Sequence, residues 1–447
     1  MSGPADPRAF GRNLAALSAI KLVGLGSSFL AAVVAARLLE PAEFGAAGVA
    51  QAFAVFVAVV ANCGLSMAAI YRLRRSDAVG REVRATVGLS VPLAILAAVC
   101  AGVGLVVGGH AMGLQPDAAL VATALVLSAA TVLADVTGSM LLGVGANAPY
   151  TIAEGLRYFS TLPLVLVILL LLPSAAGYLG ASVVAVVVAA LFALIVVKRR
   201  AGTIRPQIDL PTWRKALRFG LRGQPGNILQ YFSLRVDLVL VGALAGLGPA
   251  AVYLVVTRIA EVSTQVANAA TSFLFPAVAT IGAPSHLTGG VIRAVIVIVS
   301  AMSIGLAVIG PALLRILFGS PYDTGYPTLV ILLIASVPLS YSRLISGDIK
   351  GRGRPGLVSI ASMIGVPITI LGDILLVPLY GIAAAAVVSL VAYGATAFAL
   401  GRAYRDVSGI PAMDLVPTMV DVRLVGRRLT DAARRLAGRP DPGRTIP

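Results

Sequence analysis

Apolar runs of membrane-crossing length follow one another along almost the whole chain, and nothing else in the sequence restricts its fold so severely. They fall at roughly 13–36, 44–70, 86–109, 118–143, 150–172, 178–197, 217–246, 249–280, 290–312, 325–348, 356–377 and 381–401. Each is near the roughly 20 residues that cross a hydrocarbon layer as a helix. The pattern predicts an all-α polytopic membrane protein with about twelve transmembrane helices. A soluble fold of 447 residues could not hide a chain that is 58% hydrophobic, 12% charged and of mean hydropathy +0.94. The charged share is about half that of soluble domains.

The net charge of +16 sits mostly in short connections and in the tail. Arg72, Arg74, Arg75, Arg81 and Arg84 follow the second run, Lys198, Arg199, Arg200, Arg205, Arg214 and Lys215 the sixth, and Lys350, Arg352 and Arg354 the tenth. The alternate connections 110–117, 173–177 and 246–249 carry no Lys or Arg. By the positive-inside rule the basic connections and both termini are expected to be cytoplasmic. The same distribution argues against nucleic acid as a partner. Cys63 and Cys100 lie in apolar runs, and His110 and His286 are far apart, so no metal site and no cofactor are expected. Lys21 interrupts the first run early, so residues 1–36 read as part of the mature protein rather than as a cleaved signal.

Punctuation residues recur at a shift of about 206 positions. Leu39-Glu40-Pro41-Ala42 resembles Leu247-Gly248-Pro249-Ala250, Gly145 and Pro149 recur as Gly351 and Pro355, and Phe192-Ala193-Leu194 recurs as Phe398-Ala399-Leu400. The shift spans six helices, so the copies run in the same direction. This predicts two six-helix bundles related by a pseudo-two-fold repeat, with a site between them. The expected divisions are 1–200 for the N-terminal lobe, 201–405 for the C-terminal lobe and 406–447 for a basic cytoplasmic tail. That tail has helical apolar spacing at Val422, Val425, Leu429, Ala432 and Leu436, which suits either an amphipathic helix on anionic lipid or a solvated tail.

Charged side chains inside the apolar runs are costly, and usually face a bundle interior or a wet cavity. In the eighth run Arg258, Glu261, Gln265, Asn268 and Ser272 step by three and four, forming one polar stripe. In the seventh, Asn227, Tyr231 and Arg235 share a face. Arg235 and Arg258 lie about 11 and 9 residues from the turn at 246–249, roughly 13–17 Å deep at 1.5 Å per residue. With Lys21, Arg157 and Arg343 they give the deep positions a cationic lean suited to a phosphate or carboxylate. The candidate substrate-binding residues are Lys21, Arg157, Arg235, Arg258, Arg343, Gln265 and Asn268. Asp135, Asp237 and Glu261 are candidates for carrying a coupling proton. The competing reading is internal neutralisation, Arg258 with Glu261, Arg235 with Asp237 or Glu261, and Arg157 with Glu154. No GxxxxGK[ST] loop and no His-based cluster is present, so the chain is not expected to be an enzyme.

ARLLEPAEFG at 36–45, RVDLVLVGALAGLGPAAVYLVVTRIAE at 235–261, LFGSPYDTGYPTLVILLIASVP at 317–338 and GDILLVPLYGIAAAAVVS at 372–389 resemble polysaccharide-export flippases. The resemblance covers nearly the whole chain. It implies the Wzx-like polysaccharide biosynthesis branch of the multidrug/oligosaccharidyl-lipid/polysaccharide superfamily, MATE transporters included. It further implies export of a lipid-linked oligosaccharide on a polyprenyl diphosphate, a bacterial plasma-membrane location, and membrane lipids and a polysaccharide polymerase as partners. Asp373 stands where that family often has Asn. Alternative readings are a MATE-type cation-coupled drug antiporter, a lipid II flippase and a non-transporting scaffold for polysaccharide assembly.

Overall fold

The computed structural model describes residues 23, 24, 26–281, 285–410 and 412–436. These are helical nearly throughout, with no strand among them. In chain order the helices are α1 (Gly26–Leu38), α2 (Pro41–Ala61), α3 (Leu65–Arg75), α4 (Val79–Gly108), α5 (Ala118–Gly143), α6 (Asn147–Leu171) and α7 (Ala175–Ala201). They continue as α8 (Leu210–Ala245), α9 (Leu247–Ile281), α10 (Ser285–Leu313), α11 (Tyr326–Gly351), α12 (Pro355–Ser408) and α13 (Met419–Leu436). Nine of the described helical segments are long and apolar enough to cross a membrane. The chain is an all-α polytopic membrane protein.

Helix starts follow from side chains that accept from otherwise unpaired N–H groups. Asp117 accepts from Leu120 N–H at the start of α5, Ser174 from Gly177 N–H at α7, and Asp209 from Thr212 N–H at α8. Glu43 adds a second acceptor to α7, taking the Ala175 N–H at 2.7 Å. The Asp209 cap starts α8 at Leu210, seven residues before the apolar run that predicted it.

Another run departs from the expected pattern. The run at 44–70 is two helices, because Cys63 and Gly64 leave the helical path. Cys63 has φ 49° and Gly64 φ 73°. A Cβ on Gly64 would lie 2.3 Å from the Gly220 carbonyl oxygen, so glycine is required on steric as well as conformational grounds. Asn62 bridges the break through the hydroxyl and N–H of Ser66, while the Gln224 amide donates to the carbonyl of Val59. The runs at 356–377 and 381–401 are two helices, numbered together as α12, that meet at a kink at Gly381 with φ 62° and ψ −149°.

The chain divides into two compact units. The first comprises residues 1–258, 312–328 and 366–388. Its core is rich in small residues, with Ala58, Ala61, Ala68, Ala69, Ala94 and Ala97 around Leu65, Val132, Met140 and Leu141. Small residues let membrane helices approach closely where no hydrophobic force drives them together. A Cβ on Gly45 of α2 would lie 1.9 Å from the Leu247 carbonyl oxygen. The second unit comprises residues 259–311, 329–365 and 389–447. Its core gathers Ile292, Val299, Leu344, Ile345, Ile349, Leu400 and Tyr404. There Asp348, fully buried, is held by Arg352 and by the Tyr404 hydroxyl at 2.9 Å.

Candidate functional site

A cavity of about 250 Å³ opens inside the first unit, lined by α1, α2 and α5 to α9. Three arginines reach it from three helices: Arg157 from α6, Arg235 from α8 and Arg258 from α9. Three tyrosines, Tyr158, Tyr178 and Tyr231, line it with them, as do Gln51, Thr131, Thr161 and Ser182. Among its described lining residues none is acidic. The volume lies below the roughly 300–1,000 Å³ of ordinary small-molecule sites, so it suits a charged head group rather than a whole oligosaccharide.

Local hydrogen bonds hold the wall in place. Tyr231 donates to the Ala52 carbonyl at 3.0 Å and stacks on Phe56 with centroids 6.2 Å apart. Gln51 donates to the Ser182 hydroxyl at 3.1 Å. Thr131 and Thr161 turn their hydroxyls back onto the carbonyls of Leu127 and Arg157, so both hydroxyls are satisfied at membrane depth. Tyr158 packs against Gly24, where a Cβ would lie 2.7 Å away. The charges of Arg235 and Arg258 both bear on Tyr178 and Tyr231.

Arg157 pairs with Asp135 of α5 at 3.4 Å, both side chains being part-exposed, at 29% and 39%. Glu154 adds its charge to the same group. The neutralising partner is therefore carried by another helix, not only by the neighbour three residues back. Asp237 does not line the cavity. It is 5% exposed, and its Oδ2 accepts from the Tyr253 hydroxyl at 2.7 Å. Its charge acts on Asp373, which is fully buried and whose two carboxylate oxygens have no hydrogen-bond partner among the described residues. Lys21 lies outside the described residues.

The remaining candidates form a cluster within the second unit. Arg343 donates to the Asn268 side-chain oxygen at 2.9 Å and to the Thr264 hydroxyl at 3.1 Å. Asn268 donates to Gln265 at 2.9 Å, and Gln265 to the main-chain carbonyl of Glu261 at 3.2 Å. The polar stripe of α9 thus runs from Glu261 to Asn268 as one chain of hydrogen bonds ending on Arg343.

Sequence reasoning sought charges and passed over Tyr158, Tyr178 and Gln51. The available signals were the Arg157-Tyr158 pair inside an apolar run and a tyrosine one turn into α7.

The sequence profile of a family described as polysaccharide biosynthesis protein matches residues 10–281, more than half of the chain. The chain belongs to that family. No curated protein is similar enough in sequence to match. Among solved structures, the lipid II flippase MurJ in an inward closed conformation superposes with a TM-score of 0.73 at 11% identity, covering 95% of this chain and 99% of that one. An outward-facing multidrug resistance MATE family transporter of the MOP superfamily gives 0.60 at 15% identity, covering 94% and 96%. A eukaryotic MATE transporter gives 0.55 at 14% identity, covering 94% and 98%. At these identities the likeness establishes the fold, which this family member shares with membrane transporters and flippases.

Proposed function

We propose that this family member is a flippase that moves a polyprenyl-diphosphate-linked oligosaccharide across a bacterial plasma membrane. The observation that carries the reading is the convergence of Arg157, Arg235 and Arg258 on one cavity with no acidic lining residue described. A guanidinium matches a phosphate with two parallel N–H donors, so three of them suit a diphosphate. The surrounding tyrosines offer hydroxyls and flat faces to the first sugar. A cavity of this size takes the head group while the prenyl tail stays in lipid. In this scheme the lobes 1–200 and 201–405 alternate access to the two membrane faces, both termini being cytoplasmic. Lys21 and the Arg343–Asn268–Gln265 cluster contact the same substrate along its path. Asp135, Asp237 and Glu261 are the carboxylates assigned to proton coupling. An inside-negative potential favours outward movement of an anion by about 2.3 kcal/mol per charge per 100 mV. The cationic lining speaks against a drug antiporter for lipophilic cations.

The test is the leaflet distribution of polyprenyl-diphosphate oligosaccharide in cells depleted of the protein. The expected result is accumulation in the cytoplasmic leaflet, relieved by wild type and not by Arg157→Ala or Arg258→Ala. No accumulation on depletion overturns the flippase reading. Relief by both variants keeps the function and removes the arginines from the site.

A further inference from the structure

The segment after the last spanning helix is fastened to the second unit instead of trailing from it. α12 stops at Gly409, whose φ of 75° is the left-handed conformation that ends helices. The chain then folds back: Leu415 is fully buried, and a Cβ on Gly289 would sit 3.4 Å from it and 3.7 Å from Ile410. Arg293 of α10 closes the join. Its Nε donates to Asp421 at 3.1 Å, and one terminal nitrogen donates to the Asp414 carbonyl at 2.7 Å. Asp421 also accepts the N–H of Thr418 at 2.8 Å and its hydroxyl at 2.7 Å, which caps the start of α13.

This join sets the place of α13. The chain leaves the spanning helix α12 at Ser408 and enters α13 at Met419, and Arg293, in the third turn of α10, holds Asp421 beside it. α13 therefore starts where two spanning helices have their ends, at the border of hydrocarbon and water. Of its first turns, Val425 is buried at 7%, while Met419, Val420, Val422 and Leu424 are 78%, 72%, 46% and 48% exposed. Arg423 and Arg427 are exposed beside them. The helix carries five arginines against two aspartates, and one of those, Asp421, is taken by Arg293.

We propose that α13 is an interfacial helix lying on anionic phospholipid head groups, with Val422 entering the acyl boundary and Arg423 and Arg427 meeting lipid phosphates. An exposed apolar edge bordered by cations, held at the membrane surface, has that chemistry. Each arginine near an anionic surface adds about fivefold to the association.

The test uses full-length protein in nanodiscs, with an environment-sensitive fluorophore on Val422→Cys in a Cys63→Ser, Cys100→Ser background. The discs contain phosphatidylcholine alone or with phosphatidylglycerol, and quenching by head-group-proximal doxyl lipid is measured. The expected result is blue-shifted, quenched emission with phosphatidylglycerol, falling about fivefold in the lipid-bound equilibrium for each of Arg423→Gln and Arg427→Gln. These exposed positions leave the core intact, which size-exclusion behaviour checks. Water-like emission in both discs overturns the proposal. So does blue-shifted emission that doxyl lipid does not quench, which would mean the helix covers protein.

Discussion

Arg37 donates from Nε to the main-chain oxygen of Leu317 at 2.8 Å, across 280 positions of sequence. A terminal nitrogen of the same group reaches the Ile316 oxygen at 2.5 Å. Both acceptors belong to the wide turn Leu314–Phe318 that ends α10. The last carbonyls of a helix lack partners of their own, and a guanidinium supplies two at once.

Replacing Arg37 with alanine is expected to cost about 0.5–1.5 kcal/mol, the net worth of an exposed hydrogen-bond pair. Hydrogen exchange should quicken at 314–325, with partial recovery in Arg37→Lys, whose point charge cannot serve both oxygens. Unchanged exchange in Arg37→Ala would show that water meets these carbonyls equally well.

Gly45 is expected to be intolerant of any side chain. A Cβ there would lie 1.9 Å from the Leu247 oxygen, a contact no backbone adjustment of a few tenths of an ångström relieves. Gly45→Ala should destabilise by about 1–3 kcal/mol, as overpacking does. Gly180→Ala, with nothing within 4 Å, is the matched control. Equal melting of the two variants in detergent would contradict the packing described.

The Arg157–Asp135 pair is 3.4 Å apart, long beside the roughly 2.7–2.9 Å of a strong charged hydrogen bond, so its loss should cost little stability. Asp135→Asn should therefore melt close to wild type while binding pyrophosphate more tightly, since a competing negative charge is gone. Arg157→Ala should weaken pyrophosphate binding by roughly 10–100-fold, the worth of a charged hydrogen bond. Titration calorimetry reads both, and identical affinities would remove Arg157 from the anion site.

Asp209 lies outside the spanning segments, and the Thr212 N–H, helped by Arg81, holds its carboxyl below the usual carboxylate range. A lowered folded-state value stabilises the fold above the unfolded value, near pH 4, and the benefit fades as pH falls through the folded value. Wild type and Asp209→Ala should thus differ in melting temperature at pH 7 and converge in acid. A gap that does not narrow at all as pH falls below about 4 would assign the effect to something other than this charge.

The spans were legible because apolar length and Gly/Pro punctuation are local properties. The break at Cys63–Gly64 was not, because it depends on Gly220, which lies more than 150 positions away. The polar stripe of α9 was readable from helical spacing. Its end on Arg343 was not, since the contact joins positions 75 apart. Likewise Arg157 has an acidic neighbour three residues back, yet its hydrogen bond goes to Asp135 on another helix. Helix rotation decides such pairings, and no periodicity encodes it. The tyrosine lining escaped because an aromatic in an apolar run is indistinguishable from packing until its neighbours are known.

The connection between α7 and α8 has a bearing on how the chain is made. Gln207 donates its N–H to the Arg84 carbonyl, Arg81 pairs with Asp209, and the Trp213 indole donates to the Ala85 carbonyl. Gly88 is pressed against Gln207, with a Cβ position 2.3 Å from its oxygen. The start of α4 is therefore completed by residues that leave the ribosome some 128 positions later. A chain severed at residue 200 would present its first seven helices with an uncovered seam. Translation must run into α8 before the earlier half can settle.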